Sequence, residues 1–213
     1  MPVNTDALTP EEIKRWFDSP GVVPPNTFEI ALVLGGTVSS GAYTAGVLDF
    51  LIEALDEWTS RRDHNDAGIP AHKATIRIIT GTSGGGVNAA IAARALAFAF
   101  PPVSRASPPD IAAGNPFYDT WVNRLTLADM LTTDDLTAGA PPISALNGKV
   151  IDRAANYLVS GNFGAWKPRS YIAQPLRLIL TLTNLNGIPY RIDFGTRPGI
   201  GGEIDLVESY VNH

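Results

Sequence analysis

Apolar positions in the first half of the chain follow a strand–helix–strand–helix rhythm. Phe28 to Leu34 is a short, nearly continuous apolar run ending in Gly35-Gly36, which predicts a buried parallel strand. Ala42 to Trp58 carries Val47, Leu48, Leu51, Ile52 and Leu55 at helical spacing. Residues 59–73 are polar and hold His64 and His72. They predict a surface connection, with Arg61-Arg62 beside Asp63 and Asp66 as a solvated loop. Thr75 to Thr80 is rich in β-branched residues and predicts the second strand, while Ala-rich Val87 to Phe100 predicts a buried helix. Strands that alternate with helices in this way favour a parallel sheet with right-handed crossovers.

The pattern is more broken further along. Residues 101–116 are rich in Pro, Ser and Ala without periodicity and predict an exposed loop. Trp121–Leu125 and Leu127–Leu131 predict short helices, and Ser144–Leu158 a longer one that ends at Ser160-Gly161. Leu176–Thr183 and Ile188–Phe194 alternate on either side of Asn186-Gly187, the signature of a β-hairpin. At the start, Thr9-Pro10-Glu11-Glu12 predicts a capped helix, and Pro20-Gly21 and Pro24-Pro25 interrupt regular structure beyond it. Residues 1–26 therefore read as a helical arm and 27–213 as one α/β domain.

Composition narrows the function. The 213 residues are 45% hydrophobic and 17% charged, enough apolar matter for a real core. A net charge of −5 argues against a nucleic-acid partner, which requires clustered Lys and Arg. With no Cys, disulfides, thiolate zinc sites and Cys nucleophiles are excluded. The first residues lack the basic and apolar regions of a signal peptide, and no apolar run reaches the roughly 18 residues of a membrane span. A cytoplasmic setting is expected. Nothing in the pattern sets an oligomeric state.

The candidate chemistry centres on Ser83 in Gly81-Thr82-Ser83-Gly84-Gly85, which falls between a predicted strand and a predicted helix. That context is what a nucleophile elbow requires. A tight turn there forces the serine into a strained conformation, and flanking glycines avoid the resulting clashes. The Gly84 amide, at a helix N-terminus, then faces a developing oxyanion. Gly35-Gly36-Thr37-Val38-Ser39-Ser40-Gly41 is a second Gly-rich turn between strand and helix. It fits neither the dinucleotide nor the P-loop pattern. With the two strands adjacent, Gly35, Gly36 and Thr37 are expected to supply further amide donors to the same oxyanion hole. The alternative for either turn is a structural connection without chemistry. An ordinary triad needs a histidine after Ser83, and His213, the last residue, is a poorly held base. A Ser–Asp dyad is the remaining solution.

These features together resemble the patatin-like phospholipase family. The Gly-rich loop runs into Gly41-Ala42-Tyr43-Thr44-Ala45-Gly46-Val47-Leu48, the elbow comes next, and Thr183-Asn184-Leu185 precedes a turn at Asn186-Gly187. The resemblance covers roughly residues 28–195. It implies a three-layer α/β/α fold, hydrolysis of phospholipid or related acyl esters, peripheral membrane contact, a Ser–Asp dyad, and neither metal nor cofactor. Two departures stand out. Aligned on Gly41, Ser40 occupies the family's basic position and Gly36-Thr37-Val38 its three glycines. No Asp is followed by Gly; Asp193 is nearest in style but reads as an ordinary exposed carboxylate on a hairpin strand. The chain is read as stopping before the family's Asp. The competing readings are an inactive lipid- or partner-binding module and an acyltransferase using the same serine. Phe98, Phe100 and Phe117 border an acyl pocket in one view and pack the core in another.

Overall fold

The computed structural model describes residues 9–11, 23–37, 40–142, 144–161 and 163–183. Pro24–Thr181 form one compact unit; residues 1–23 and 182–213 group separately and lie almost wholly outside the described residues. The hairpin across Asn186-Gly187 and Asp193 lie outside them too, and of the capped N-terminal helix only Thr9, Pro10 and Glu11 are described.

The compact unit is an α/β structure on a three-stranded parallel sheet, β1 (Thr27–Leu34), β2 (Lys73–Gly81) and β3 (Ile172–Leu180), in the order β1-β2-β3. The ladders end in step at Leu34, Gly81 and Leu180. The β1–β2 register slips after Ile30, where β2 carries Arg77 as an extra residue paired with Glu29. The β2–β3 register breaks around Pro175, which has no N–H for the ladder. Among the described residues β1 is an edge strand with Phe28 and Val33 exposed, not the buried strand its apolar run predicts.

Helix α1 (Gly41–Asp63) runs beyond the expected Trp58. The Arg61–Glu57 pair, one helical turn apart, supports its last turns, so Arg61-Arg62 are helical and not loop. Helix α2 (Gly84–Ala95) starts at once after Ser83 and stops short of Phe100, because Phe98 leaves the helix to bridge Trp166. α2 packs on all three strands, and α1 packs on α2. Leu48, Ile52 and Leu55 of α1, Ile76 and Ile79 of β2, and Ile91 of α2 share one buried core.

The stretch 101–116 is not simply an exposed loop. It contains α3 (Pro109–Ala113), and Asn115 is fully buried, donating to Asp49 of α1 at 2.8 Å and to the Pro101 carbonyl. Asn115 also caps α4 (Pro116–Tyr118), which continues into a π-helical turn at Asp119–Arg124. Then come α5 (Leu127–Met130) and α6 (Gly148–Ser160), the latter starting at Asn147, whose side chain accepts from the Lys149 amide. Phe117 belongs to the core, with Phe100 packed edge-on against it. Among the described residues no helix is long and apolar enough to cross a membrane.

Candidate active site at Ser83

The site forms where the sheet's carboxyl ends meet two helix starts, the usual place for function in parallel α/β sheets. β2 ends at Gly81 and α2 begins at Gly84, leaving two residues to reverse the chain. Ser83 makes that reversal at φ 53°, ψ −126°, a region L-residues rarely occupy. The glycine pattern around it has a steric cause. A Cβ on Gly81 would sit 2.5 Å from the Gly85 carbonyl oxygen, and one on Gly85 would meet the carbonyls of Leu34 and Gly35. The elbow is thus pressed against the end of β1, and Thr82 donates its amide to Leu34 at 3.1 Å.

The loop after β1 flanks the serine. A Cβ on Gly36 would lie 3.5 Å from Ser83 Cβ, and one on Gly84 would collide with Thr37 Oγ1. Gly36, Thr37, Ser83 and Gly84 are therefore neighbours, as the sequence suggests, whereas nothing lies within 4 Å of a Cβ on Gly35. The Ser40 amide donates to the Thr37 carbonyl at 2.7 Å and closes the loop as a turn. On the far side, the Thr181 hydroxyl donates to Thr82 Oγ1 at 2.9 Å just beyond β3.

Two residues that sequence reasoning passed over hold this assembly together. Asn88 is fully buried one turn into α2; its Nδ2 donates to the carbonyls of Gly41 and Gly84. Its Oδ1 accepts from Trp121 Nε1 at 2.9 Å. The Trp121 ring covers Gly41, where any Cβ would strike it, and reaches Gly84. The available signal is a lone amide in a helix that is otherwise small and apolar up to Arg94 in its last turn, where a buried polar side chain demands partners.

No hydrogen bond to Ser83 Oγ is found among the described residues. His64, just past α1, donates from Nδ1 to the Ser60 carbonyl, and the His72 ring meets Trp58 edge-to-face. His72 immediately precedes β2, about 30 Å from the Gly81 end by strand rise, and His64 lies at the far end of the 23-residue α1 from Gly41, so neither serves Ser83. The described residues contain no group of three or more His, Cys, Asp or Glu placed to hold a metal ion. The strongest ionic network lies elsewhere: Asp56 accepts from Lys167, Arg169 and Tyr171. Burial pushes the Asp56 carboxyl up, but these donors outweigh it and hold it below the usual range. Asp49 is pushed up by burial, opposed by hydrogen bonds from Val103 and Asn115.

Fold and site together define a class: parallel-sheet α/β proteins whose second strand ends in a strained serine turn. Over 192 residues the chain is 34% identical to the uncharacterized protein y4iI of Sinorhizobium fredii, a match covering 85% of this chain and 26% of that protein. The chain thus spans about a quarter of the length of the curated relative it matches. No family model matches, and no solved structure matches.

Proposed function

We propose that this chain carries the nucleophile and oxyanion hole of a serine acyl hydrolase acting on lipid or related acyl esters, on a three-layer fold of the patatin-like kind. The observation that carries the reading is the positive φ of Ser83 at a strand-to-helix junction, with Gly36 and Gly84 beside it. A serine in that conformation costs about 1–3 kcal/mol of backbone strain, which a plain connection has no reason to keep.

Ser83 Oγ attacks the ester carbonyl carbon and its proton passes to a base. The carbonyl π pair moves onto oxygen, where the Gly84 amide and the Gly36–Thr37 loop stabilise it. Collapse expels the alcohol, which takes the proton, and water then releases the acid by the same route. The base in this reading is a carboxylate outside the described residues. A cavity of about 110 Å³ lies behind Trp121, bounded by Ala42, Ala45 and Phe117 and by the polar pair Asp49 and Asn115; neither Ser83 nor the Gly36–Thr37 loop lines it. Peripheral contact with a lipid surface belongs to the same reading, supported by Tyr43, Val47 and Phe50 on the exposed face of α1.

The test is a fluorophosphonate probe followed by peptide mapping. Labelling on Ser83 in the full-length protein, lost in Ser83→Ala, is expected; a folded full-length protein that takes no label at Ser83 refutes the reading. The second reading is the inactive binding module, supported by Ser40 and Thr37-Val38 standing where the family pattern has a basic residue and glycines; it predicts lipid association without labelling.

A further inference from the structure

Two buried side-chain oxygens among the described residues lack any hydrogen-bond partner, Thr37 Oγ1 and Thr120 Oγ1. Such a group gives up its hydration and gains nothing in return, so its retention calls for a cause. Thr37 Oγ1 lies directly against the α-carbon of Gly84, whose amide opens α2. The preceding residue, Gly36, borders Ser83, and the turn closed by Ser40 onto the Thr37 carbonyl holds the threonine in place.

We propose that the Thr37 hydroxyl is itself a donor to the oxyanion formed at Ser83, supplementing the backbone amides of the loop. The inference rests on Ser83 being the nucleophile. A hydroxyl carries a freely rotating proton, and here no protein acceptor claims it. The hydroxyl is covered against Gly84 in the free protein, so Thr37 must turn outward by the width of its own hydroxyl to meet an oxygen that arrives with the substrate. The elbow glycine serves the same arrangement, since any side chain at Gly84 would displace the hydroxyl. The loop's lost glycine at this position is then a substitution with a chemical gain. Where the resemblance supplies flexibility and an amide, Thr37 adds a second donor from the same residue.

The role separates from a structural one because its energetic signs oppose. Thr37→Val keeps the shape and removes an unpaired buried hydroxyl, so the fold gains stability while the site loses a donor. Thr37→Ser keeps the hydroxyl. The readout is the second-order rate at which a fluorophosphonate labels Ser83 in the 213-residue chain. In that step Ser83 Oγ bonds to phosphorus, fluoride leaves, the serine proton passes to base or solvent, and charge builds on the phosphoryl oxygen. Thr37→Val should slow labelling by on the order of 10²-fold, the effect of one such donor. It should also raise Tm by roughly 2–8 °C, as relief of an unsatisfied buried group predicts. Thr37→Ser should label near the wild-type rate. Thr120→Val, the control, should raise Tm without slowing labelling.

Labelling by Thr37→Val at the wild-type rate overturns the proposal, and so does an equal loss in Thr37→Val and Thr37→Ser. A Thr37→Val variant that is both slower and less stable assigns the hydroxyl a structural role and overturns it as well. Wild-type protein without label at Ser83 removes the nucleophile itself, a failure distinct from these.

Discussion

The side-chain amide of Asn88 donates to the main-chain carbonyl of Gly41 across 2.9 Å and joins the first turn of α1 to the first turn of α2. Each helix begins where a Gly-rich loop ends, so this bond sets the spacing between the loop after β1 and the elbow after β2. Trp121 completes the joint by donating to the same side chain. Replacing Asn88 by Ala leaves the indole N–H without its acceptor and removes the side-chain donor from the Gly41 carbonyl, which keeps its main-chain bond within α1. At about 1–3 kcal/mol for an orphaned group, the expected loss is about 1–3 kcal/mol. Asn88→Asp should be no better, because it keeps the acceptor, loses both donations and buries a charge. Urea unfolding with a lowered midpoint and an unchanged slope checks this; near-wild-type stability for both variants contradicts the clamp.

Glycines of this chain divide sharply by what a methyl group would meet. Gly85→Ala drives a Cβ into the carbonyls of Leu34 and Gly35, backbone atoms that cannot rotate away. A loss on the order of 3 kcal/mol or more is expected, together with displacement of the elbow from β1. Gly46 lies inside α1, is exposed, and has nothing within 4 Å of its would-be Cβ. Gly46→Ala should therefore stabilise by about 0.5–1 kcal/mol through helix propensity alone. Thermal melts of the pair test the division; equal effects would contradict it.

The elbow was the most legible feature because every determinant is local: strand, turn glycines and helix lie within about twenty residues. The Gly35–Gly41 loop was legible for the same reason, and the adjacency of β1 and β2 followed from parallel topology. Long-range partners were not. The stretch after Phe100 looked like loop because it has no period, yet Asn115 buries there by finding Asp49, 66 residues earlier in the chain. β3 was placed from Leu176, where alternation begins, but its ladder starts at Ile172 and pairs with β2 in parallel. The pairing of Asn88 with Trp121 has no local signature, because a buried amide reveals its role only through its partners. The end of α2 moved because Phe98 packs better against Trp166 and Phe163 than it would by continuing the helix.

Acid should unfold this protein partly through Asp56. Its folded pKa is lowered, so its contribution is fully present above the unfolded value near 3.8 and is lost as pH falls through the folded one. Asp49, raised by burial, acts with the opposite sign: its ionised form opposes folding, and that cost grows as pH rises through its folded pKa. Arg169 is the hostage of the network, since its side chain is 2% exposed. Asp56→Ala leaves that guanidinium buried without its carboxylate and should cost about 3–5 kcal/mol at neutral pH. Adding Arg169→Met should recover much of the loss. Urea midpoints from about pH 6 to about pH 2 should fall for wild type and flatten for the double variant. A wild-type profile flat across that range contradicts the assignment.

Strain at Ser83 makes a prediction opposite to ordinary helix-start and turn chemistry. At most positions Ala is more stable than Gly, because Gly has more unfolded-state entropy to lose. At φ 53°, ψ −126° an L-residue instead pays for its Cβ, and Gly does not. Ser83→Gly should therefore exceed Ser83→Ala in stability by about 1 kcal/mol, while both lose fluorophosphonate labelling. Equilibrium unfolding of the two variants decides the order. If Ala proves the more stable, the turn is relaxed in solution, and the strongest structural argument for a poised nucleophile goes with it. If Gly wins, the chain keeps a costly serine where glycine would fold better, and the hydroxyl is the only part of that side chain that glycine cannot replace.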